Sequence, residues 1–144
     1  MTKEEIIQEI RRFFSDFAEN NRLLMKEEFS DQKIEDAISR AINDYNLIPP
    51  LTNKTFENLN DQEKKLIIKG ACAELLYMGA AYFMRNTLQT RTDVAVLDYE
   101  DKPPNYVNLA SQLKNEFFSL AQQLKIQINM LKGPAIILSP YYHR

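Results

Sequence analysis

The sequence predicts an all-α fold: a bundle of about four main helices, a short extended or β segment near 94–97, and an extended C-terminal arm. Three observations predict it. Apolar residues recur at helical spacing in four long stretches. Only three glycines and six prolines punctuate 144 residues, so regular structure is long and connections are few. Two capping patterns, Thr2-Lys3-Glu4-Glu5 and Asn60-Asp61-Gln62-Glu63, stand where that periodicity begins. Hydrophobic residues make up 44% and charged residues 26%, a globular composition.

The first helix is expected from about Lys3 to Phe17, with Ile6, Ile7, Ile10, Phe13, Phe14 and Phe17 at helical spacing. Ala18 to Phe29 reads as a connection with Leu23-Leu24-Met25 as its apolar anchor. Ser30 is a suitable N-cap for a second helix, Asp31 to about Tyr45. Ile34, Ala37, Ile38, Ala41, Ile42 and Tyr45 form its apolar stripe, and Pro49-Pro50 forbids its continuation. Leu51 to Leu59 is a turn-rich linker.

The longest helix starts at the second capping pattern and runs to about Leu88. From Ala71 to Met84 its only charge is Glu74, and a helix apolar on nearly all faces is buried on nearly all faces. The stretch Leu66 to Met84 is nearly long enough to span a bilayer. Lys69 and Glu74 within it favour a buried core helix. Gly70 and Gly79 each cost about 1 kcal/mol relative to alanine, so something packs closely there. Tight crossing within the domain and packing between subunits both fit. Val94 and Val96 alternate with Ala95 and Leu97, the strand signal.

A fourth helix is expected from Pro104 to about Leu131. Its stripe is Tyr106, Leu109, Ala110, Leu113, Phe117, Leu120, Leu124, Ile128 and Leu131, widened by Phe118, Ile126 and Met130. Gly133-Pro134 stops it. Residues 1–132 therefore make one helical domain and 133–144 an extended arm. The arm is too apolar for a solvated terminus. It either packs back on its own domain or adds to a neighbouring subunit.

Charge and residue inventory exclude several functions. Eighteen basic and twenty acidic side chains give a net charge of -2, which disfavours a strongly basic nucleic-acid binder. Residues 1–60 carry -4 and residues 61–144 carry +2, a split that permits head-to-tail contact between copies. One cysteine, Cys72, excludes an internal disulfide, and one histidine, His143, excludes a His-cluster metal site. No phosphate-binding glycine loop or nucleophile elbow occurs. No catalytic residue, cofactor or metal is expected. Glu74 reads as half of a structural ion pair with Lys69, Arg85 or a basic residue of another helix. Cys72 reads as a small core residue. Neither a signal peptide nor a lipidation motif is seen, and a lone thiol fits a reducing, intracellular setting.

The order of elements carries a resemblance. Phe29-Ser30-Asp31 opens a short helix closing at Asn43-Asp44-Tyr45-Asn46. A long small-residue helix, Gly70 to Leu88, follows. Then come the Arg91 to Asp101 segment and a Pro103-Pro104 start into a last long helix with Tyr106 and Phe117-Phe118. Over roughly Phe29 to Leu131 the chain resembles the head-to-tail connector (adaptor, or head-completion) proteins of tailed bacteriophages. The resemblance implies a structural virion protein, not an enzyme. It implies a ring, commonly of twelve copies, beneath the portal protein, with DNA passing through the channel without specific binding and no membrane involved. Assembly would take place in the host cytoplasm, and the final location would be the virion neck.

The candidate protein-interaction residues are then Ile136, Ile137, Leu138, Tyr141 and Tyr142 of the arm, and Phe13, Phe14 and Phe17 of the first helix. That first helix has no place in the family pattern. Two alternatives stand beside this. One is a small helical regulator binding DNA or a partner protein through Arg11-Arg12 or Lys64-Lys65. The other is a small enzyme using Glu74 in a deep pocket.

Overall fold

The computed structural model describes residues 1–17, 19–20, 26–87 and 102–132. Four α-helices carry the fold: α1 (Lys3–Phe14), α2 (Asp31–Leu47), α3 (Asp61–Thr87) and α4 (Lys102–Leu131). A 3-10 turn, Phe56–Asn58, lies in the linker before α3. No strand occurs among the described residues. The segment near 94–97, the arm 133–144 and the anchor Leu23-Leu24-Met25 lie outside the described residues.

Both capping patterns form. The Thr2 hydroxyl accepts from the Glu5 N–H, and the Glu5 carboxylate accepts from the Thr2 N–H at 2.8 Å. Asn60 and Glu63 exchange the same pair of bonds at the start of α3. Ser30 caps α2 through the Lys33 N–H. Helix α1 ends at Phe14, three residues short of the expected Phe17. Ser15 takes the left-handed conformation at φ 51, and its N–H closes the helix onto Arg11 and Arg12. The chain turns there because Asp16 is needed inside. Its carboxylate accepts from Arg11 at 3.2 Å and from the Glu28 and Phe29 N–H groups at 2.6 and 3.0 Å.

The helices alternate in direction. The Met1 ammonium meets Asp61 at the start of α3, so α1 and α3 begin at one end. Phe14 packs on Phe29 just before α2, and Phe83 near the end of α3 packs on Tyr106 near the start of α4. Helix α3 is central and touches the other three. Ile67, Ala71, Ala73 and Leu75 on it are fully enclosed, but the expected burial on nearly all faces stops short of Met84: Ala81, Tyr82 and Met84 in its last described turns are exposed. Ile6 and Ile10 of α1, Ile34, Ile38 and Tyr45 of α2, and Phe117 of α4 close the core around it. Fully burying each such aliphatic or Phe side chain stabilises by about 1.5–3 kcal/mol.

The two helix glycines admit side chains within the chain. A Cβ at Gly70 would lie 2.9 Å from the Phe117 ring and 3.2 Å from Ala41. One at Gly79 would lie 3.0 Å from the Tyr106 ring. The close approach is of aromatic rings, which seat on bare backbone. These contacts set the α3–α4 register, together with Glu74–Lys114 and Lys69–Glu116. In that register Asp61 stands opposite about Ile126, so the last turn and a half of α4 projects beyond the start of α3.

Candidate interaction surface

The apolar positions of α4 divide between two sides. Ala110, Leu113, Phe117 and Ala121 face the core, with Tyr106 and Leu124 at its margin. Leu109, Phe118, Leu120, Ile126, Met130 and Leu131 are exposed, Met130 to 72% and Leu131 to 87%. At 100° per residue Leu109, Leu120 and Leu131 flank the core face on one side, with Met130 and Ile126 further round, and Phe118 lies on the other side. Leu109, Leu120 and Leu131 recur every eleven residues, which places them in one line along the helix.

Charge is nearly absent from that outer side. From Leu109 to Leu131 the charged residues are Lys114, Glu116 and Lys125. Lys125 is buried, Lys114 is half-buried between Glu74 (2.7 Å) and Asp44 (3.2 Å), and exposed Glu116 is paired with Lys69 at 2.8 Å. Glutamine, asparagine and serine fill the remaining polar positions. By contrast α1 exposes Lys3, Glu4, Glu5 and Arg12, and α2 exposes Asp31, Lys33, Asp36 and Arg40. Loss of charge together with large exposed apolar side chains is the signature of a surface that a partner covers.

A groove of about 420 Å³ runs along this side between the first half of α3 and the second half of α4. Leu66, Leu120 and Leu124 line it with Lys65, Lys69 and Gln127. A second concavity, by Asn46, Leu47 and Leu51, lies at the end of α2.

The first-helix candidates differ in exposure. Phe13 is exposed and meets Phe14 edge-on at 5.0 Å, Phe14 packs on Phe29 at 5.5 Å, and Phe17 is half-buried beyond the helix end. Ile136, Ile137, Leu138, Tyr141 and Tyr142 lie outside the described residues. Glu74 is paired with a basic residue of another helix, Lys114, and lines neither concavity. Burial works against the Lys114 charge, but the Glu74 and Asp44 carboxylates hold its pKa above the ordinary value. Burial pushes the Cys72 thiol up to about 12, so it stays protonated.

Of the basic pairs, Arg11 is buried among Asp16, Asp31 and the Phe29 carbonyl. Arg12 pairs with Glu9, and Lys64 donates to the Met1 carbonyl over the Phe56 ring. Among the described residues no group of three His, Cys, Asp or Glu side chains converges to hold a metal ion.

Sequence reasoning missed four buried charges: Arg11, Asp16, Glu63 and Lys125. Glu63, wholly enclosed, accepts from the Tyr45 hydroxyl at 2.6 Å and from Lys54 at 2.6 and 2.8 Å. Burial pushes its pKa up, but the bonds from Lys54, Tyr45 and the Asn60 N–H outweigh this and hold it below the usual carboxylate range. Burial and the same carboxylate push the Tyr45 phenol well upward. Lys125 donates to the carbonyls of Tyr45, Ile48 (2.6 Å) and Pro50 (3.1 Å), and lies over the Tyr45 ring. It is a side-chain cap on the C-terminus of α2, supplied by α4.

No protein-family model, no curated protein and no solved structure matches this chain.

Proposed function

We propose that this chain is a structural subunit of a phage head-to-tail connector ring, acting by assembly beneath a portal protein. One observation carries the proposal furthest: the exposed, nearly uncharged line of Leu109, Leu120 and Leu131 along α4, whose last turn and a half extends past the start of α3. A ring subunit needs two non-identical faces that meet head to tail and close. The α4 face supplies one. The charge-rich faces of α1 and α2 differ from it in chemistry, as the two sides of a heterologous contact do. The order of elements from Phe29 to Leu131 supports the same reading through its resemblance to connector proteins. In this proposal about twelve copies surround the DNA channel, and residues 133–144 dock on the portal or a neighbour. A net charge of -2 suits a channel through which DNA slides, because each neutralised phosphate adds salt-dependent affinity.

The test is light-scattering mass after co-expression with the portal protein of the same phage, with and without residues 134–144. The expected result is co-migration at a ring mass that depends on the arm. A portal that migrates alone in both cases refutes the proposal.

A further inference from the structure

We infer that neighbouring copies in the ring join by seating the second half of α2 from one copy in the groove between α3 and α4 of the next. The α2 surface is the exposed line of Arg40, Asn43 and Leu47, continued by Leu51. The receiving groove has leucines at its floor, Leu66, Leu120 and Leu124, and lysines and glutamines at its rims. The two surfaces match in placement, in height and in chemistry.

They lie on opposite sides of the bundle. Lys114 and Lys125 reach α2 from one flank of α4, through Asp44 and the carbonyls of Tyr45, Ile48 and Pro50. Leu120 and Gln127 line the groove from the other flank, about 140° away at 100° per residue. On α3, Glu63 and Gly70 meet Tyr45 and Ala41 of α2, while Lys65 and Lys69 turn to the groove. Arg40, Asn43 and Leu47 point away from the buried Ile38, Ala41 and Tyr45. One chain therefore cannot bring its own two surfaces together. Two copies side by side can, and each new contact leaves one groove and one α2 line open for further copies until the ring closes.

Height fits as well. Copies related by rotation about one axis stand level with one another. Lys125 holds the Ile48 carbonyl at 2.6 Å, which sets Leu47 level with the Leu124 to Gln127 end of the groove. Ala41 and Phe117 both close on Gly70, which sets Arg40 level with Glu116. In a ring of upright bundles, Leu47 of one copy then faces the Leu124 end of the next copy's groove, and Arg40 faces Glu116.

The chemistry of the two sides agrees. Leu47 and Leu51 are 70% and 74% exposed, the most exposed leucines outside α4 among the described residues. Between residues 41 and 53 the one charge is Asp44, which turns inward to Lys114. The α2 surface thus offers leucines edged by an amide to a groove of leucines edged by amides. Lys69 takes one oxygen of Glu116 at 2.8 Å, which leaves the other to accept from Arg40. Lys65 stands near the height of Asn43, whose side-chain carbonyl is an acceptor for it.

The inference deepens the connector proposal and rests on it in one respect, that copies of this chain stand side by side. It adds the identity of both halves of the contact.

The experiment combines Leu47→Cys with Gln127→Cys in one chain and applies a short bis-maleimide, to the chain alone and after co-expression with the portal protein. Cys72 is buried and stays out of the reaction. The expected result on a denaturing gel is a ladder of covalent dimers, trimers and higher multimers, because each chain carries both halves of the contact. Either cysteine alone should give no ladder. A second pair, Asn43→Cys with Gln123→Cys, should give the same ladder about one turn along the groove. Leu47→Cys with Gln112→Cys, about 22 Å out of register, should give about tenfold less. Thermal melts show that each variant folds. Matched pairs that stay unlinked in both samples, or links formed equally by the out-of-register pair or by one cysteine alone, overturn the inference. If the portal co-migrates with the chain and no ladder forms, only this contact falls. If the ladder forms and the portal migrates alone, only the connector proposal falls.

Discussion

Replacing Gly70 and Gly79 separately by alanine should have opposite consequences for stability, although both lie inside α3. In a helix interior each change gains about 1 kcal/mol from intrinsic propensity. At Gly70 the new methyl meets two Phe117 ring atoms at 2.9 and 3.0 Å and the Ala41 Cβ at 3.2 Å. Phe117 is 1% exposed and backed by Phe118, so it has nowhere to move. Overpacking of that kind costs about 1–3 kcal/mol. The net expectation for Gly70→Ala is a loss of up to about 2 kcal/mol. At Gly79 the contacts are 3.0 and 3.1 Å to Tyr106, a half-buried ring near the start of α4. A shift of a few tenths of an ångström relieves them, so Gly79→Ala should fall within about 0.5 kcal/mol of the parent. Urea unfolding at constant slope reads both. Phe117→Leu should recover most of the Gly70→Ala loss in a double-mutant cycle. A Gly70→Ala protein more stable than the parent by about 1 kcal/mol would refute the close packing of α4 on α3.

Further expectations concern the buried charges and the outer face. Lys125→Met removes the donor to three carbonyls at the end of α2 and should cost about 1–3 kcal/mol, read by urea unfolding. Because the folded pKa of Glu63 lies below its ordinary 4.5, its contribution is present above that value and is lost as pH falls through the folded pKa. Stability measured from pH 7 down to pH 3 should therefore fall more steeply for the parent than for Glu63→Gln. Met130→Gln and Leu131→Gln, at positions 72% and 87% exposed, should change stability by less than about 0.5 kcal/mol while weakening assembly with the portal.

Much of this fold is legible in the sequence because it depends on near neighbours. The Thr2–Glu5 and Asn60–Glu63 boxes span three residues each, and the α2 stripe from Ile34 to Tyr45 reads directly at helical spacing. The buried charges are not legible for the opposite reason. Lys125 finds its carbonyls 75 to 80 residues away, and Arg11 finds Phe29 across a connection. Along the chain each looks like any solvated cation. The end of α1 was equally hidden, since Ser15 turns left-handed to send Asp16 inward to partners near Phe29. The outer face of α4 did have a signal. Fourteen apolar positions from Tyr106 to Leu131 exceed what one core-facing stripe requires, and the eleven-residue recurrence of Leu109, Leu120 and Leu131 with so little charge marks an apolar line beside the core stripe. Of Phe13, Phe14 and Phe17, read at helical spacing as one stripe, Phe13 is exposed, Phe14 is half-buried against Phe29, and Phe17 lies past the end of α1.

The most direct test of the α4 face as an assembly surface is native mass spectrometry of the chain co-expressed with its portal protein, compared with Leu109→Glu/Leu120→Glu. Both leucines are already more than two-fifths exposed, so the double variant should melt like the parent. The parent should appear as a discrete closed ring on the portal, and the double variant as a monomer beside a bare portal. A double variant that still forms the same ring would contradict the role assigned to α4.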